Sequence, residues 1–360
     1  MKNIKLFDPN IGKLEEDAVL DTLYSKFWAS GAGTKKTQKF EQKFNKYIGS
    51  NECVSVNSGT AALHLALSMC EIKGKEVILP SLSFVSTAHS IIYNGGKPVF
   101  VDVDPNTLCI DPKLVKEKIN EKTVAILPVH FGGMPANLEQ IQKLTKKHKI
   151  HLIEDAAHAA GTTYNQKKIG CHGELVCFSF HPVKNLAMPN GGAICINSKK
   201  SKQIKKILNS KRWCGISNRN DSKYDVPDIG WNYYLNEFSA AIGIEQLKKL
   251  DKMNLIKKKI AKRYSNELNV FQKMPFSKDC SFHIFWIRVK KRDEFRKKMK
   301  LDGIETGIHY QPIHKMKYYD TKIKLKITEK ASEEIVSLPI HPNLSEIEIN
   351  KIIKFTNKYA

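Results

Sequence analysis

From residue 53 to residue 196 the chain alternates short apolar runs with longer amphipathic ones, and this rhythm limits the fold more than any other feature. Runs at 53–56, 76–79, 98–103, 124–129, 151–153, 175–180 and 193–196 have the length of buried strands. Between them, 60–68, 85–93, 112–119 and 138–148 have helical length and spacing. Pro80 closes one strand, Gly95-Gly96 stops a helix, and Asp104-Pro105 ends another strand. Strands that alternate with helices in this way predict an α/β fold with a doubly wound, mostly parallel sheet. Two further helices, 14–24 and 37–47, precede it.

Near residue 236 the rhythm changes. Asn236 can cap a long helix, 237–267, which is apolar in its first half and basic in its second. Short strands (282–289), a helix (292–301) and a final helix (345–359) follow, an α+β pattern. A chain of 360 residues is long for one domain. The expected division is a large domain, 1–240, and a smaller C-terminal part, 241–360, that begins with the long linking helix.

Ligands of doubly wound sheets sit outside the carboxyl ends of the strands. The residues at those ends are therefore the candidates. Asn57-Ser58-Gly59-Thr60 opens a helix, and free N–H groups beside hydroxyls and a glycine suit an anion; an ordinary N-cap has the same look. Phe84 can cover a planar ring or join the core. Asp155 and His158 lie about one helical turn apart, and a carboxylate just past a buried strand is costly unless paired. They can equally be a capping Asp and a satisfied histidine. Ser179, His181 and Lys184 follow the 175–180 run on a loop that leads to Gly191-Gly192. A lysine is an ordinary surface residue in most settings. Taken together, the set offers a phosphate cradle (Ser58, Gly59, Thr60, Ser179), a ring cover (Phe84), a carboxylate for a pyridinium nitrogen (Asp155) and an amine for an aldehyde (Lys184). Those are the requirements of pyridoxal 5′-phosphate, and a buried lysine loses its proton more easily and can act as a nucleophile.

The formal net charge is +23, from 59 basic and 36 acidic residues. Lysine dominates, and no basic motif interleaved with aromatics appears, so no nucleic-acid partner is expected. A positive field that favours anionic small substrates is. The eight cysteines are scattered without a Cys-x-x-Cys or a zinc spacing and read as structural, with no metal site. No apolar stretch reaches the length of a membrane span and Met1 to Gly12 lacks a signal-peptide core, so a cytoplasmic protein with no membrane contact is expected.

The chain resembles the DegT/DnrJ/StrS family of sugar aminotransferases, which have the fold-type-I pyridoxal-phosphate architecture. The resemblance runs almost end to end. It is carried by Leu6-Phe7-Asp8-Pro9, Ser58 to Ala66, Pro98 to Asp104, Glu154 to His158, Phe178 to Asn185, Ala240 to Gly243, Gly307 to Tyr310 and Ser337 to Pro342. It implies that Lys184 is the Schiff-base lysine and Asp155 the partner of the pyridine nitrogen. It implies that His158 contacts the phenolic oxygen of the cofactor, that Gly59, Thr60 and Ser179 hold its phosphate, and that Phe84 stacks on its ring. By the same resemblance Asn232 reaches the phosphate of a partner subunit's cofactor, which makes the enzyme a homodimer with a shared site. His309, Tyr310 and Asn190 are candidates for the substrate side. The implied reaction moves an amino group from an amino acid, L-glutamate, to a keto-sugar linked to a nucleotide, in amino-sugar and surface-glycan biosynthesis. A dehydratase or lyase, or a non-catalytic regulator on the same fold, is the alternative. Two segments depart from the family pattern: Met188-Pro189-Asn190 replaces Thr-Gly-Glu, and Tyr234 stands where many relatives have arginine. Both border the substrate side.

Overall fold

The computed structural model describes residues 3–360. Helices α1 (Lys13–Tyr24) and α2 (Lys35–Ile48) lead into β1 (Glu52–Val56), α3 (Gly59–Leu67), β2 (Glu76–Pro80), α4 (Ser86–Tyr93) and β3 (Lys97–Val101). Next come α5 (Pro112–Lys118), β4 (Thr123–Ile126), α6 (Leu138–His148) and β5 (His151–Asp155). A small ribbon of β6 (Thr163–Tyr164) and β7 (Lys167–Lys168) separates β5 from β8 (Leu175–Ser179), and β9 (Gly192–Ile196) follows. Seven of these strands form one sheet in the order β1-β9-β8-β5-β4-β2-β3. Every pairing is parallel except the two made by β9. β9 returns directly from the loop after β8, and a short return can only be antiparallel. The sheet is covered on both faces, so its strands read as near-continuous apolar runs; Val77, Ile78 and Leu79 are wholly buried.

The covering helices also fix the strand end that carries the lysine. On α2, Phe40, Phe44 and Ile48 recur every four residues and all are buried. The Phe44 ring meets Phe178 at 5.2 Å and Phe180 at 5.1 Å, both edge-on. Edge-to-face rings of this kind add roughly 0.5–1.5 kcal/mol beyond their buried area, and here they pin the end of β8.

Beyond β9 lie α7 (Ser201–Lys211) and the hairpin of β10 (Ser217–Asn220) with β11 (Lys223–Asp225). The 31-residue α8 (Glu237–Glu267) is next, and Asn236 caps it by accepting from the Ser239 N–H. Strands β12 (Gln272–Lys273), β13 (Phe285–Arg288) and β14 (Ile335–Leu338) make an antiparallel sheet. Around it pack α9 (Arg292–Leu301), α10 (Lys326–Glu334) and α11 (Glu346–Tyr359), the last opened by a Ser345–Glu348 capping box. One apolar cluster runs from Ile78 and Phe131 through Tyr264 to Phe285 and Trp286. The Tyr264 hydroxyl donates to the Pro339 carbonyl at 2.7 Å. Ile4 bridges to Ile304, so the start of the chain lies against the C-terminal part.

Several boundaries differ from those expected. The 98–103 and 124–129 runs leave the sheet at Val101 and Ile126, and their ends survive as single bridges, Val103 to Ile110 and Val129 to Asp155. At the first, the Asp104 carboxylate accepts the N–H groups of Asn106 and Thr107 and turns the chain. β5 is longer than expected and includes Glu154 and Asp155. The 282–289 run makes one strand, starting at Phe285, because Phe282 takes a left-handed φ of 48°. Helix α7 and the two-residue strands were not expected; three apolar residues in SKQIKKILNSK leave little periodic signal. No helix among the described residues is long and apolar enough to cross a membrane.

Candidate active site

A cavity of about 380 Å³ opens at the carboxyl ends of the parallel strands, against the start of the C-terminal sheet. Each candidate residue lines it except Asn232. Ser58, Gly59, Thr60, Phe84, Asp155, His158, Ser179, Lys184, Asn190, His309 and Tyr310 share one space.

The anion end is built by α3. Ser58 caps it, its Oγ accepting the Ala61 N–H at 3.1 Å. The N–H groups of Gly59 and Thr60 stand in the first turn, where no intrahelical carbonyl reaches them. A Cβ on Gly59 would come within 2.7 Å of the Ser179 Cβ. Only glycine lets the helix start sit against the end of β8 with its N–H groups open.

Across the cavity, Asp155 is 4% exposed. It accepts from Thr87 Oγ1 at 2.8 Å and from the Ala157 N–H at 3.1 Å. Burial nonetheless raises its pKa above the usual carboxylate range. Thr87 is itself held by Ser83, 2.7 Å away. Strand residues alternate between faces, so Glu154 points away from the cavity and pairs with the buried His130 at 2.8 Å. His130 Nδ1 accepts the Ala136 N–H, which leaves its proton on Nε2 for Glu154.

His158 is tied by the same logic. Its Nδ1 accepts the Gly132 N–H at 3.2 Å, so the neutral ring carries its proton on Nε2 and donates to the Tyr310 hydroxyl at 3.0 Å. Burial holds its pKa well below the usual imidazole value. The Tyr310 proton is then free to face the cavity. His309 is anchored through Nδ1 to Ser337 Oγ at 2.8 Å, and burial pushes it down to about 4.

Lys184 is the only lysine or arginine on the cavity wall among the described residues. Burial lowers its pKa to about 8, against a smaller upward pull from Asp155. The next residue fastens its loop. Asn185 Nδ2 donates to Asn254 Oδ1 and to the Ser281 carbonyl, both at 2.9 Å, and Asn185 Oδ1 accepts from Lys257 Nζ at 2.8 Å.

Asn190 stands at the cavity mouth. Its Oδ1 accepts from Ser239 Oγ at 2.7 Å and Asn236 Nδ2 at 3.3 Å, which binds it to the start of α8. Asn232 is exposed and lies outside this chain's cavity. Its carbonyl accepts from Asn57, a cavity residue, at 3.3 Å. Sequence reasoning gave no role to Phe7 or His283, which also line the cavity. Phe7 lies inside a motif that carried the resemblance. His283 had no signal of its own, being one histidine ahead of an apolar run.

These groups suit pyridoxal phosphate. The α3 N–H groups and Ser179 can take its phosphate, and the glycine leaves that place open. Asp155 can face the ring nitrogen, and Lys184 can reach the aldehyde. Phe84, 56% exposed on the cavity side, offers an apolar face to the ring. A Gly59→Val variant should bind pyridoxal phosphate roughly a hundredfold more weakly, since two charge-assisted hydrogen bonds contribute about 1.5 kcal/mol each. Absorbance titration of the cofactor-free protein checks this. An unchanged Kd would remove the cradle from α3.

A model of the DegT/DnrJ/EryC1/StrS aminotransferase family matches residues 9–356. The chain is 34% identical to the uncharacterized protein MJ1066 of Methanocaldococcus jannaschii, over 98% of its own length and 96% of that relative. Among solved structures it resembles Helicobacter pylori PseC, an aminotransferase involved in the biosynthesis of pseudoaminic acid. The TM-score is 0.94 at 28% identity, over 99% of each chain. It also resembles Streptococcus pneumoniae Spr1654 in its PLP form, with a TM-score of 0.93 at 25% identity over 99% of this chain and 98% of the other. Spr1654 has been solved in its PMP form as well. With the family match spanning nearly all of its length, the chain belongs to the DegT/DnrJ/EryC1/StrS aminotransferase family and is a fold-type-I, pyridoxal-phosphate-dependent transaminase.

Proposed function

We propose that the enzyme moves an amino group from L-glutamate to a keto-sugar carried on a nucleoside diphosphate, as a step toward an amino sugar of a surface glycan. The observation that carries this reading is the meeting of one depressed lysine, one buried carboxylate and one helix-terminal cradle in a single cavity. The sugar follows from the family and from PseC, whose described role is in pseudoaminic acid biosynthesis. The net charge of +23 supports an anionic, nucleotide-linked acceptor.

Bound pyridoxal phosphate supplies an aldehyde carbon that takes up the amino group and a ring that draws electrons from it. The chain's residues do the rest. Gly59, Thr60 and Ser179 hold the phosphate, and Phe84 covers the ring. Asp155 keeps a proton on the ring nitrogen. Lys184 would hold the aldehyde through its amine and, when that amine is free, would take the proton from the donor's Cα and hand it on within the same cavity. Tyr310, whose hydroxyl accepts from His158 Nε2, presents its own proton toward the same space. Asn190 and His309 stand on the sugar side.

We also infer a cytoplasmic homodimer with residues 1–240 as the cofactor-binding part and 241–360 as the smaller one. Asn232, exposed and outside its own cavity, is then available to a second subunit. Ile229 nearby is 70% exposed and gains cover in such an interface. None of the eight cysteines is paired, which fits a reducing compartment.

The test is a panel of keto-sugar nucleotides with the carbonyl at C3 or C4, with glutamate as donor and mass spectrometry as readout. One 2-oxoglutarate is expected per amino sugar formed. Loss of water or ammonia from the sugar without glutamate consumption points to a dehydratase or lyase and overturns the proposal.

A further inference from the structure

His283 has no place in the reaction as set out above, and the structure spends much to put it in the cavity. The preceding residue, Phe282, holds a φ of 48°, a left-handed value that a bulky side chain adopts only under constraint. The constraint is visible on both sides. The Ser281 N–H donates to Thr162 Oγ1 at 3.2 Å, Thr162 Oγ1 donates to the Gly133 carbonyl at 2.7 Å, and the Ile284 N–H reaches the Gly132 carbonyl. The turn at 281–284 is therefore stitched to the same 132–133 segment that holds His158. Its product is an imidazole 1% exposed, stacked on Phe7 at 5.6 Å and 16° and lying 4.4 Å from the His158 ring. Its Nε2 stands 3.5 Å from Lys184 Nζ, and its Nδ1 has no partner.

A strained turn that delivers a buried, half-partnered histidine to the reacting amine calls for a reason beyond packing. We propose that His283 is a further catalytic residue: its Nε2 accepts a hydrogen bond from Lys184 whenever that amine is not bonded to the cofactor. This rests on the reading of Lys184 given above. When Lys184 takes a proton from the donor it becomes an ammonium with three N–H groups to place. His283 receives one of them and takes no proton itself. The groups facing Lys184 allow this division. His158, His283 and His309 are all driven toward the neutral form by burial. Asp155, which pulls the Lys184 pKa upward, and Tyr310 line the same cavity, His181 is on the same loop, and Lys257 bonds Asn185. His283 is therefore the neutral acceptor within reach of Nζ, and Asp155 remains committed to the ring.

The experiment uses the full-length protein loaded with pyridoxamine phosphate, in which Lys184 is free. Competitive acetylation with acetic anhydride over a pH series, read by mass spectrometry at Lys184, gives the titration of that amine. An acceptor stabilises the ammonium, so its loss lowers the pKa. In His283→Leu the midpoint is expected to fall by roughly half a unit or more, at least threefold in the protonation constant. His283→Gln keeps an acceptor and should stay within a fraction of that shift. His283→Phe, which keeps the stack on Phe7, should behave as the Leu variant. Equal midpoints in wild type, Gln and Phe variants overturn the proposal, as does an upward shift in Phe. Failure of the Lys184 reading has its own signature. Lys184 would then be acetylated equally whether the wild type carries pyridoxal phosphate or pyridoxamine phosphate.

Discussion

Replacing Lys184 with alanine is expected to slow the glutamate half-reaction by roughly four orders of magnitude, with the fold intact. The cavity wall has no second amine to stand in among the described residues. Lys257 is the nearest substitute in kind, more buried than Lys184, but its Nζ bonds Asn185 and it faces a smaller cavity behind the loop. The loop keeps its shape in the variant because Asn185, not Lys184, fastens it. Single-turnover absorbance with saturating glutamate measures the effect, and borohydride reduction should no longer leave a cofactor joined to the chain. Turnover within tenfold of wild type, with an adduct retained, would sink the assignment. The pH dependence has a definite sign. Lys184 must be neutral to take a proton, and burial lowers its pKa to about 8. The rate of the half-reaction should therefore rise as pH increases toward 8 and level off above it.

Asp155→Asn is expected to lower turnover about a thousandfold, the scale for removing a buried group aimed at developing charge. In the proposed role the carboxylate keeps the ring nitrogen protonated, which a neutral amide would not do. The same change should make the cofactor-free protein more stable at neutral pH. Burial raises the folded-state pKa of Asp155 above its unfolded value. Such a group favours the folded state at low pH, and that advantage is lost as pH rises through the folded value. At neutral pH the ionised carboxylate is a burden on the empty fold that asparagine removes. Ala157 can still donate to the amide oxygen, and Thr87 can turn its hydroxyl toward Ser83. Thermal unfolding of the cofactor-free pair should give the variant the higher Tm. Asn with both wild-type turnover and lower Tm would contradict the role and the electrostatics together.

Much of this site could be anticipated because an α/β sheet puts its chemistry at strand ends. Once 53–56, 76–79, 151–153 and 175–180 are recognised as strands, Ser58, Phe84, Asp155 and Lys184 must gather on one rim. Local signals go no further. His283 meets Lys184 from 99 positions away, and Lys257 meets Asn185 from 72; no periodicity links them. Neighbouring acids were also hard to separate by composition. Glu154 and Asp155 looked like one acidic step past a strand, yet both belong to β5, and the pleat sends one to His130 and the other to the cavity. Asn190 shows the same limit. Its departure from the family pattern was visible, but its tie to Ser239 and Asn236 depends on where a helix 46 residues later begins.

Helix α8 also works as a ruler. Its first turn holds Asn190 at the cavity mouth, its middle holds Asn185 beside the lysine, and Tyr264 near its end holds the C-terminal sheet. A helix advances about 1.5 Å and turns about 100° per residue, so Ser239 and Lys257, eighteen positions apart, fall on nearly the same line of the cylinder. The distance from the cavity mouth to the amine is thereby graduated in helical turns. Side chains along α8 can change in kind without moving either mark, but one residue added or lost between them throws the scale out of register. Relatives that exchange C-terminal parts with this chain must therefore agree on the count between the marks before they agree on anything chemical.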